Sequence, residues 1–197
     1  LNCTVKNTEH NIAENFTLDL NGLYQTKNLR TILCAEGILM QQGFTIKNEA
    51  EKSALANTKK LTGLHGRWDI IAQHPAIVLD VAHNEDGMKQ IIGQLALIND
   101  NNAKIHFVMG MVKDKEVSKV LSLLPADAVY YFTNAHIPRA LPATELQSKA
   151  AAYNLQGNCF DDVNEAIAAA KLKAATTDLI IVCGSVFLVG EVEFTSG

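Results

Sequence analysis

The sequence predicts an α/β fold in which a mainly parallel sheet carries helices on both of its faces. Short runs of β-branched and aromatic residues recur from residue 76 onward, at 76–81, 104–109, 128–133 and 179–183. Runs without polar alternation are typical of strands that are buried on both faces. Between them lie segments with apolar residues three or four positions apart, as in amphipathic helices. Strands that alternate with helices need crossover connections, and such connections make the strands parallel.

Each helix between these strands has its own local signal. After Asn84, apolar residues fall at three- and four-residue spacing, and the segment after Gly110 repeats the pattern. The segment 142–153 begins with a proline, which suits the first turn of a helix. The segment 161–175 is rich in alanine and begins with two aspartates, which the helix dipole favours. Residues 157–160 are expected to add one more short strand.

The first 60 residues have a different pattern. Residues 16–20 alternate between apolar and polar side chains, as in a strand with one solvent-exposed face. Segments 28–43 and 48–59 are predicted helices. This segment has too little strand–helix alternation to form a sheet domain of its own. We therefore expect residues 1–60 to be the end of a preceding domain and residues 61–197 to be the main domain. The opening residues resemble the middle of a protein, so we expect the natural protein to begin upstream.

Composition excludes several classes of function. The net charge of −4 and the pI of about 5.9 provide no basic surface for nucleic acid. No apolar run reaches the roughly 20 residues of a membrane span. The sequence also lacks the GxSxG, GxGxxG and GxxxxGK[ST] motifs of serine hydrolases, dinucleotide-binding domains and phosphate loops. Four cysteines without metal-binding spacing favour reduced thiols and a cytoplasmic location; they are Cys3, Cys34, Cys159 and Cys183.

Polar residues follow the predicted strands at the points where ligands bind in open parallel sheets. Cations there suit phosphate or carboxylate groups, and a carboxylate suits the hydroxyl pair of a ribose. The first strand ends in Asp80, followed by His83 and Asn84, and Arg67 lies just before that strand. Further polar residues follow the other strands: Lys113, Asp114 and Lys115, then Asn134, His136 and Arg139, and finally Ser185.

Structural explanations for these residues stay open at this point. Aspartate at a strand end and asparagine at a helix start are common caps, so Asp80 and Asn84 fit a structural role equally well. A single histidine such as His83 is more often a packed or surface residue than a catalytic one. The lysines of 113–115 are typical of a solvated loop, and Ser185 after a glycine is typical of a turn.

Six segments, in order, resemble the C-terminal part of the folylpolyglutamate synthase/dihydrofolate synthase family, which is related to the Mur ligases. They cover nearly the whole chain: LNGLYQTKNLRTIL, GLHGRWDII, PAIVLDVAHNEDGM, FVMGMVKDKE, PRALPATEL and VCGSVFLVGEV. The sequence departs from the family pattern at three positions. His65 replaces a proline before Gly-Arg, Glu85 replaces the proline after His-Asn, and Glu116 replaces an aspartate.

The resemblance implies a Rossmann-like C-terminal domain preceded by the tail of a central ATP-binding domain. It also implies a cytoplasmic, monomeric ligase that uses ATP and Mg²⁺ to join L-glutamate to dihydropteroate or folate through an acyl phosphate. In that chemistry Arg67 and His83 are the catalytic residues. ATP is bound by Arg67, Asp80 (at the ribose) and Asn84, and glutamate is bound by His83, Lys115 and Ser185. The metal ligands are expected mainly outside this segment, and Gln25 and Asn28 are expected to be structural.

Because the phosphate-loop motif is absent, we expect this chain to be inactive by itself. Two alternatives remain open. One is another Mur-type amide ligase that acts on a peptidoglycan precursor, which a comparison of acceptor substrates would distinguish. The other is a non-catalytic α/β domain that binds a nucleotide or an amino acid, which predicts binding without any ligase activity.

Overall fold

The computed structural model describes residues 1–7, 12–98, 103–113 and 116–193. The chain forms two compact units, Leu1–Arg67 and Trp68–Gly197. The sequence placed the boundary seven residues earlier, between residues 60 and 61. None of the described helices is long and apolar enough to cross a membrane.

The first unit combines a hairpin with three helices. Strand β1 (Asn2–Asn7) pairs antiparallel with β2 (Ile12–Thr17). The helices are α1 (Gln25–Gln41), α2 (Asn48–Ala56) and α3 (Thr58–Thr62). The predicted strand at 16–20 was therefore placed too late, and β1 was missed because its polar residues hide the strand pattern. Among the residues of this unit that the structure describes, the buried apolar side chains that form its core are Phe16, Leu18 and Leu29.

One carboxyl group of the first unit has a strongly altered pKa. Burial, a hydrogen bond with Glu36 and the negative charge of Glu36 raise the pKa of Glu51 from 4.5 to about 7. The charge of Glu14 adds to this effect, and Lys52 opposes it only weakly. Lys52 instead forms an ion pair with Glu14 at 2.7 Å. Glu51 therefore carries a proton at a pH where most glutamates are ionised.

The second unit contains the predicted sheet. Its strands are β3 (Arg67–Gln73), β4 (Ala76–Asp80), β5 (Ile105–Met109), β6 (Val129–Phe132), β7 (Gly157–Cys159) and β8 (Leu179–Cys183). They lie in the order β3-β4-β8-β5-β6-β7, and the β4–β8, β8–β5, β5–β6 and β6–β7 pairs are parallel. The predicted mainly parallel α/β fold is confirmed. Strand β3 was missed; its connection to β4 has only two residues, which permits only an antiparallel hairpin.

Helices cover both faces of this sheet, as predicted. On one face lie α4 (Glu85–Ile98), α5 (Val117–Leu121) and α6 (Ala143–Ala151), and on the other lie α7 (Val163–Lys173) and α8 (Val186–Gly190). Consecutive residues of one strand pack on opposite faces of the sheet, because side chains alternate along a strand. Val78 packs in the first core, for example, and Leu79 packs in the second.

The connections that follow the strands change direction at β8. The chain leaves β4 and β5 toward the face that carries α4 and α5, but it leaves β8 toward the opposite face, where α8 packs. Loops that diverge in this way open a crevice outside the carboxyl ends of the strands. The ends of β4, β8 and β5 therefore border a natural place for a ligand.

A cluster of buried polar residues lies at the amino-terminal edge of the same sheet. Asp178, just before β8, accepts hydrogen bonds from the backbone N–H groups of Lys104 (2.9 Å) and Ala175 (2.7 Å). His106 joins this carboxylate through Nε2 at 3.3 Å and the hydroxyl of Tyr131 through Nδ1 at 3.1 Å. Burial opposes ionisation of Asp178, but these hydrogen bonds outweigh it and lower the pKa of Asp178 below 3.8.

Candidate functional site

The carboxylate of Asp80 is built into the fold at the end of β4. Only 3% of the residue is exposed. One oxygen accepts a hydrogen bond from the backbone N–H of Trp68 at 3.0 Å, and the other accepts one from the N–H of Ala82 at 2.9 Å. The structural reading of Asp80 as a cap is therefore correct. A ribose contact stays a prediction, and it requires the same carboxylate to accept further hydrogen bonds.

The backbone conformation of Trp68 gives the Asp80 carboxylate a structural role. The residue has a φ of +51° and is 3% exposed, so a bulky side chain occupies a backbone conformation that such residues rarely adopt. The surrounding structure must hold a residue in this conformation. The hydrogen bond from Trp68 to Asp80 contributes to this restraint. Because Trp68 directly follows Arg67, the orientation of β3 at its first residue depends on Asp80.

Arg67 begins β3 and is partly exposed. Since β3 runs antiparallel to β4, its first residue lies at the same edge of the sheet as the carboxyl end of β4. The Nη1 of Arg67 donates to the carbonyl oxygen of Gly66 at 3.2 Å. The guanidinium group thus keeps further donors for an anionic ligand.

His83 has a defined tautomer. Its Nδ1 lies 2.9 Å from the carbonyl oxygen of Val81. A carbonyl oxygen only accepts hydrogen bonds, so in the neutral ring Nδ1 carries the hydrogen and Nε2 carries the lone pair. The side chain is partly exposed. His83 can therefore offer a basic nitrogen to a ligand.

Asn84 is the N-terminal cap of α4. Its Oδ1 accepts a hydrogen bond from the backbone N–H of Gly87 at 2.8 Å, and its carbonyl oxygen accepts from Met88 at 3.0 Å. This geometry confirms the cap that the sequence indicated. Glu85, one of the departures from the family pattern, pairs with Lys89 at 2.6 Å. The hydrogen bond and charge of Lys89 lower the pKa of Glu85, so an acid in the first turn is accommodated.

Two glycines allow the ends of β8, β5 and β6 to approach closely. Gly184 has a φ of +106°, and a Cβ atom there would lie 2.5 Å from the carbonyl oxygen of Gly110. A Cβ atom on Gly110 would lie 2.7 Å from the carbonyl oxygen of Thr133. The N–H of Gly184 also donates to the carbonyl oxygen of Ala82 at 2.8 Å. The loop after β8 is thereby held against the loop after β4.

Ser185 follows Gly184 and lies between the end of β8 and the start of α8. It is 4% exposed and caps α8, because its Oγ accepts a hydrogen bond from the N–H of Phe187 at 3.2 Å. Its hydroxyl group therefore has a structural partner and still carries a proton that it can donate. The turn role that the sequence left open is confirmed, and the glutamate contact stays a prediction.

The predicted site residues that the structure describes all lie at this edge. Arg67, Asp80, His83 and Asn84 lie at the ends of β3 and β4, and Ser185 follows the neighbouring strand β8. Lys115 lies outside the described residues. Sequence reasoning read Gly110 as a turn and named Gly184 at the end of the last strand, but it assigned neither a close backbone approach and gave Trp68 no role. A glycine directly after each of two buried strands was the available signal for the close backbone approach. Gln25 is buried and accepts a hydrogen bond from Asn28 at 2.8 Å, as a structural pair would.

No metal centre is evident in the part of the chain that the structure describes, since no group of three or more His, Cys, Asp or Glu residues there could hold a metal ion. The groups available at this edge of the sheet are a guanidinium cation, an imidazole, a hydroxyl group and backbone N–H groups. Such a set binds anionic oxygens and can accept a proton.

Comparison with known proteins identifies the family. Residues 66–186 match the family model described as Mur ligase, glutamate ligase domain. The dihydrofolate synthase/folylpolyglutamate synthase of Escherichia coli K12 is 28% identical over 184 residues, which cover 93% of this chain and 40% of that protein. A structure of E. coli FolC in complex with ADP, without folate substrate, has a TM-score of 0.74 at 28% identity and covers 91% of this chain and 40% of that one.

A second solved structure matches at 28% identity. It is a bifunctional folylpolyglutamate synthase/dihydrofolate synthase with Mn, AMPPNP and L-glutamate bound, with a TM-score of 0.65. The match covers 79% of this chain and 36% of that one. Because the family model matches more than half of the chain, the protein described here belongs to the Mur ligase family, with the glutamate ligase domain at residues 66–186.

Proposed function

We propose that this chain is the C-terminal part of an ATP-dependent amide ligase that adds L-glutamate to dihydropteroate or folate. The observation that carries the proposal is that the described site residues of β3, β4 and β8 lie at one edge of the sheet. The names and bound molecules of the matched relatives favour this substrate class. The chain spans 40% of the E. coli relative, so the activity belongs to a longer assembly.

The reaction begins with transfer of the γ-phosphoryl group of ATP to a carboxylate of the acceptor, which gives an acyl phosphate and ADP. The amine of glutamate then attacks the acyl carbon, loses a proton, and expels inorganic phosphate as the amide forms. Arg67 neutralises phosphate charge during both steps, since its guanidinium group keeps donors beyond the hydrogen bond to Gly66.

We assign to His83 the proton that the attacking amine loses. With its Nδ1–H held by Val81, the lone pair of Nε2 is the position that accepts the proton that the amine loses. Ser185 donates its hydroxyl proton to a carboxylate of glutamate, and Lys115 adds a positive charge to the same substrate. Asn84, whose Oδ1 caps α4, keeps its amide N–H groups for the nucleotide. Asp80 holds Trp68 and thereby Arg67, and it accepts hydrogen bonds from the ribose as a further role.

ATP brings Mg²⁺ with it in this chemistry, and the residues described here provide no cluster to hold that ion. The phosphate-loop motif is also missing from the sequence. We therefore propose that the isolated 197-residue chain does not turn over, and that its residues complete a site whose phosphate-binding part lies elsewhere.

The test is ADP formation by the full-length natural protein and by the 197-residue chain, each with ATP, Mg²⁺ and glutamate. We expect ADP only from the full-length protein, and only with dihydropteroate or a folate as acceptor. ADP formation with a UDP-sugar peptide instead would favour the peptidoglycan ligase. Binding of ATP or glutamate without ADP formation from any acceptor would favour a non-catalytic binding domain. Rapid ADP formation by the 197-residue chain would refute the division of the site.

A further inference from the structure

A cleft of about 240 Å³ lies on the face of the sheet that carries α7 and α8. On this face α7 packs against β5, β6 and β8, and α8 packs against β8 and β4. Strand β3 lies at the edge of the sheet, so the sheet extends sideways beyond both helices. Three apolar residues of β3 and β4 therefore remain to form the floor of the cleft, namely Ile71, Ala72 and Ile77.

One side of α7 forms the wall of this cleft. The lining residues of the helix follow one another at spacings of three and four, which places them on the same side; they are Asn164, Ile167, Ala168 and Lys171. Ile167 also belongs to the core beneath the helix, whereas Ala168 and Lys171 are exposed. These two exposed residues therefore face the cleft and do not contribute to the core. The small side chain of Ala168 leaves space between the helix and the floor.

The two charged residues of the cleft lie toward its opposite ends. The N–H of Glu193 donates to Oδ1 of Asn164 at 2.9 Å, which places Glu193 beside the first turn of α7. Lys171 lies two helical turns further on, about 10 Å along the helix axis from Asn164. Both charged residues are exposed, and neither forms an ion pair with another residue in the described part of the chain. The cleft thus offers a carboxylate, an ammonium group and apolar surface between them.

We propose that this cleft binds a dipeptide that has apolar side chains and free ends. The carboxylate of the dipeptide pairs with Lys171, its ammonium group pairs with Glu193, and its side chains cover the apolar floor. An extended dipeptide spans about 7 Å, so it reaches toward both charged residues, whereas a single α-amino acid carries both charges on one carbon atom. The inference is independent of the proposed function, since none of the cleft residues has a role in the ligase reaction.

The size of the cleft supports a ligand of this class. Pockets that hold drug-sized molecules measure roughly 300–1,000 Å³. A cleft of about 240 Å³ is smaller than these, so it suits a dipeptide better than a nucleotide or a folate. It is also separate from the predicted ligase site, because Ile77 lies near the start of β4 and Asp80 ends that strand.

Titration of the 197-residue chain with L-alanyl-L-leucine, followed by NMR of the backbone amides, tests the proposal. We expect saturable shifts at the amides of Ala168 and Glu193, with a Kd on the order of 1 mM, as for a small ligand with two solvent-exposed ionic contacts. N-acetyl-L-alanyl-L-leucine lacks the ammonium group, and L-alanyl-L-leucinamide lacks the carboxylate. Each of these two compounds should bind roughly fivefold more weakly than the free dipeptide.

Three variants at exposed positions of α7 locate the binding. Lys171→Ala should weaken binding of the dipeptide roughly fivefold but leave binding of L-alanyl-L-leucinamide unchanged, because the lost cation pairs only with the carboxylate. Ala168→Leu fills the space beside the floor and should abolish binding of all three compounds. Lys173→Ala is the matched control on the same helix and should bind the dipeptide as the wild type does.

Several results would overturn the proposal. One is the absence of saturable shifts at about 20 mM dipeptide, well above the expected Kd. Another is binding that Ala168→Leu leaves intact, because the dipeptide would then occupy a different place. Equal affinities for the free dipeptide and its N-acetyl form would show that Glu193 does not recognise the ammonium group. Because binding is measured without turnover, none of these results bears on the proposed ligase function.

Discussion

Replacing Asp80 by alanine removes the acceptors of two buried backbone N–H groups at once. The N–H groups of Trp68 and Ala82 lie 3.0 Å and 2.9 Å from its carboxylate oxygens, and the aspartate itself is 3% exposed. A buried donor without an acceptor costs about 1–3 kcal/mol. With two such donors, we expect Asp80→Ala to lower the free energy of unfolding of the second unit by about 2–6 kcal/mol.

Urea unfolding followed by tryptophan fluorescence measures this loss directly. Trp68 is the single tryptophan of the chain and lies in the second unit, so its emission reports the relevant transition. Asp80→Asn keeps one acceptor oxygen and should lose about half as much stability as Asp80→Ala. Asp161→Ala, at an exposed position, is the control and should change the free energy of unfolding by less than about 0.5 kcal/mol.

A loss below about 1 kcal/mol in Asp80→Ala would refute the reasoning, because it would mean that water or another group satisfies both N–H groups. Asp80→Asn then separates the structural role from the ribose contact, both of them proposed for the longer ligase. A raised KM for ATP in a variant of near wild-type stability would support the ribose contact. An unchanged KM for ATP would leave Asp80 with its structural role alone.

Three further variants test other parts of the fold. Gly184→Ala should cost about 2 kcal/mol or more and lower the Tm by roughly 5–10 °C, because its Cβ would meet a carbonyl oxygen at 2.5 Å; Gly190→Ala, with open space around it, is the control. The folded-state pKa of Asp178 is lowered, so its ionised form stabilises the fold above about pH 4 and this contribution is lost as the pH falls through the folded pKa. Asp178→Asn should be less stable than the wild type at pH 7, and its urea-unfolding free energy should change less between pH 5 and pH 2. The folded-state pKa of Glu51 is raised to about 7, so its contribution is present below pH 4.5 and is lost as the pH rises through 7. Thermal melts at pH 5 and pH 8 should therefore show a smaller decrease for Glu51→Gln than for the wild type, and equal decreases would contradict the carboxyl pairing with Glu36.

Local sequence patterns were sufficient for the elements whose environment is uniform. Strands such as 179–183 are buried on both faces and therefore need apolar residues throughout. Such an uninterrupted apolar run can be recognised in the sequence. The cap at Asn84 was equally visible, since capping joins residues only three positions apart. Strand β3 could not be predicted from its local pattern, because its buried residues include an aspartate, Asp69, whose burial no local rule predicts.

By itself, the sequence determined the fold class, the main strands and helices, and the set of polar residues that follow the strands. Only the tertiary structure decided which strand ends are neighbours. The last strand of the chain, β8, lies between β4 and β5, and this places Gly184 and Ser185 beside Ala82 although a hundred residues separate them. The tertiary structure also decided that Asp80 accepts a hydrogen bond from Trp68 and that Glu191 accepts one from His136. These contacts join distant parts of the chain, so their partners depend on the order of the strands in the sheet. Crossover connections set that order, and local periodicity in the sequence does not encode it.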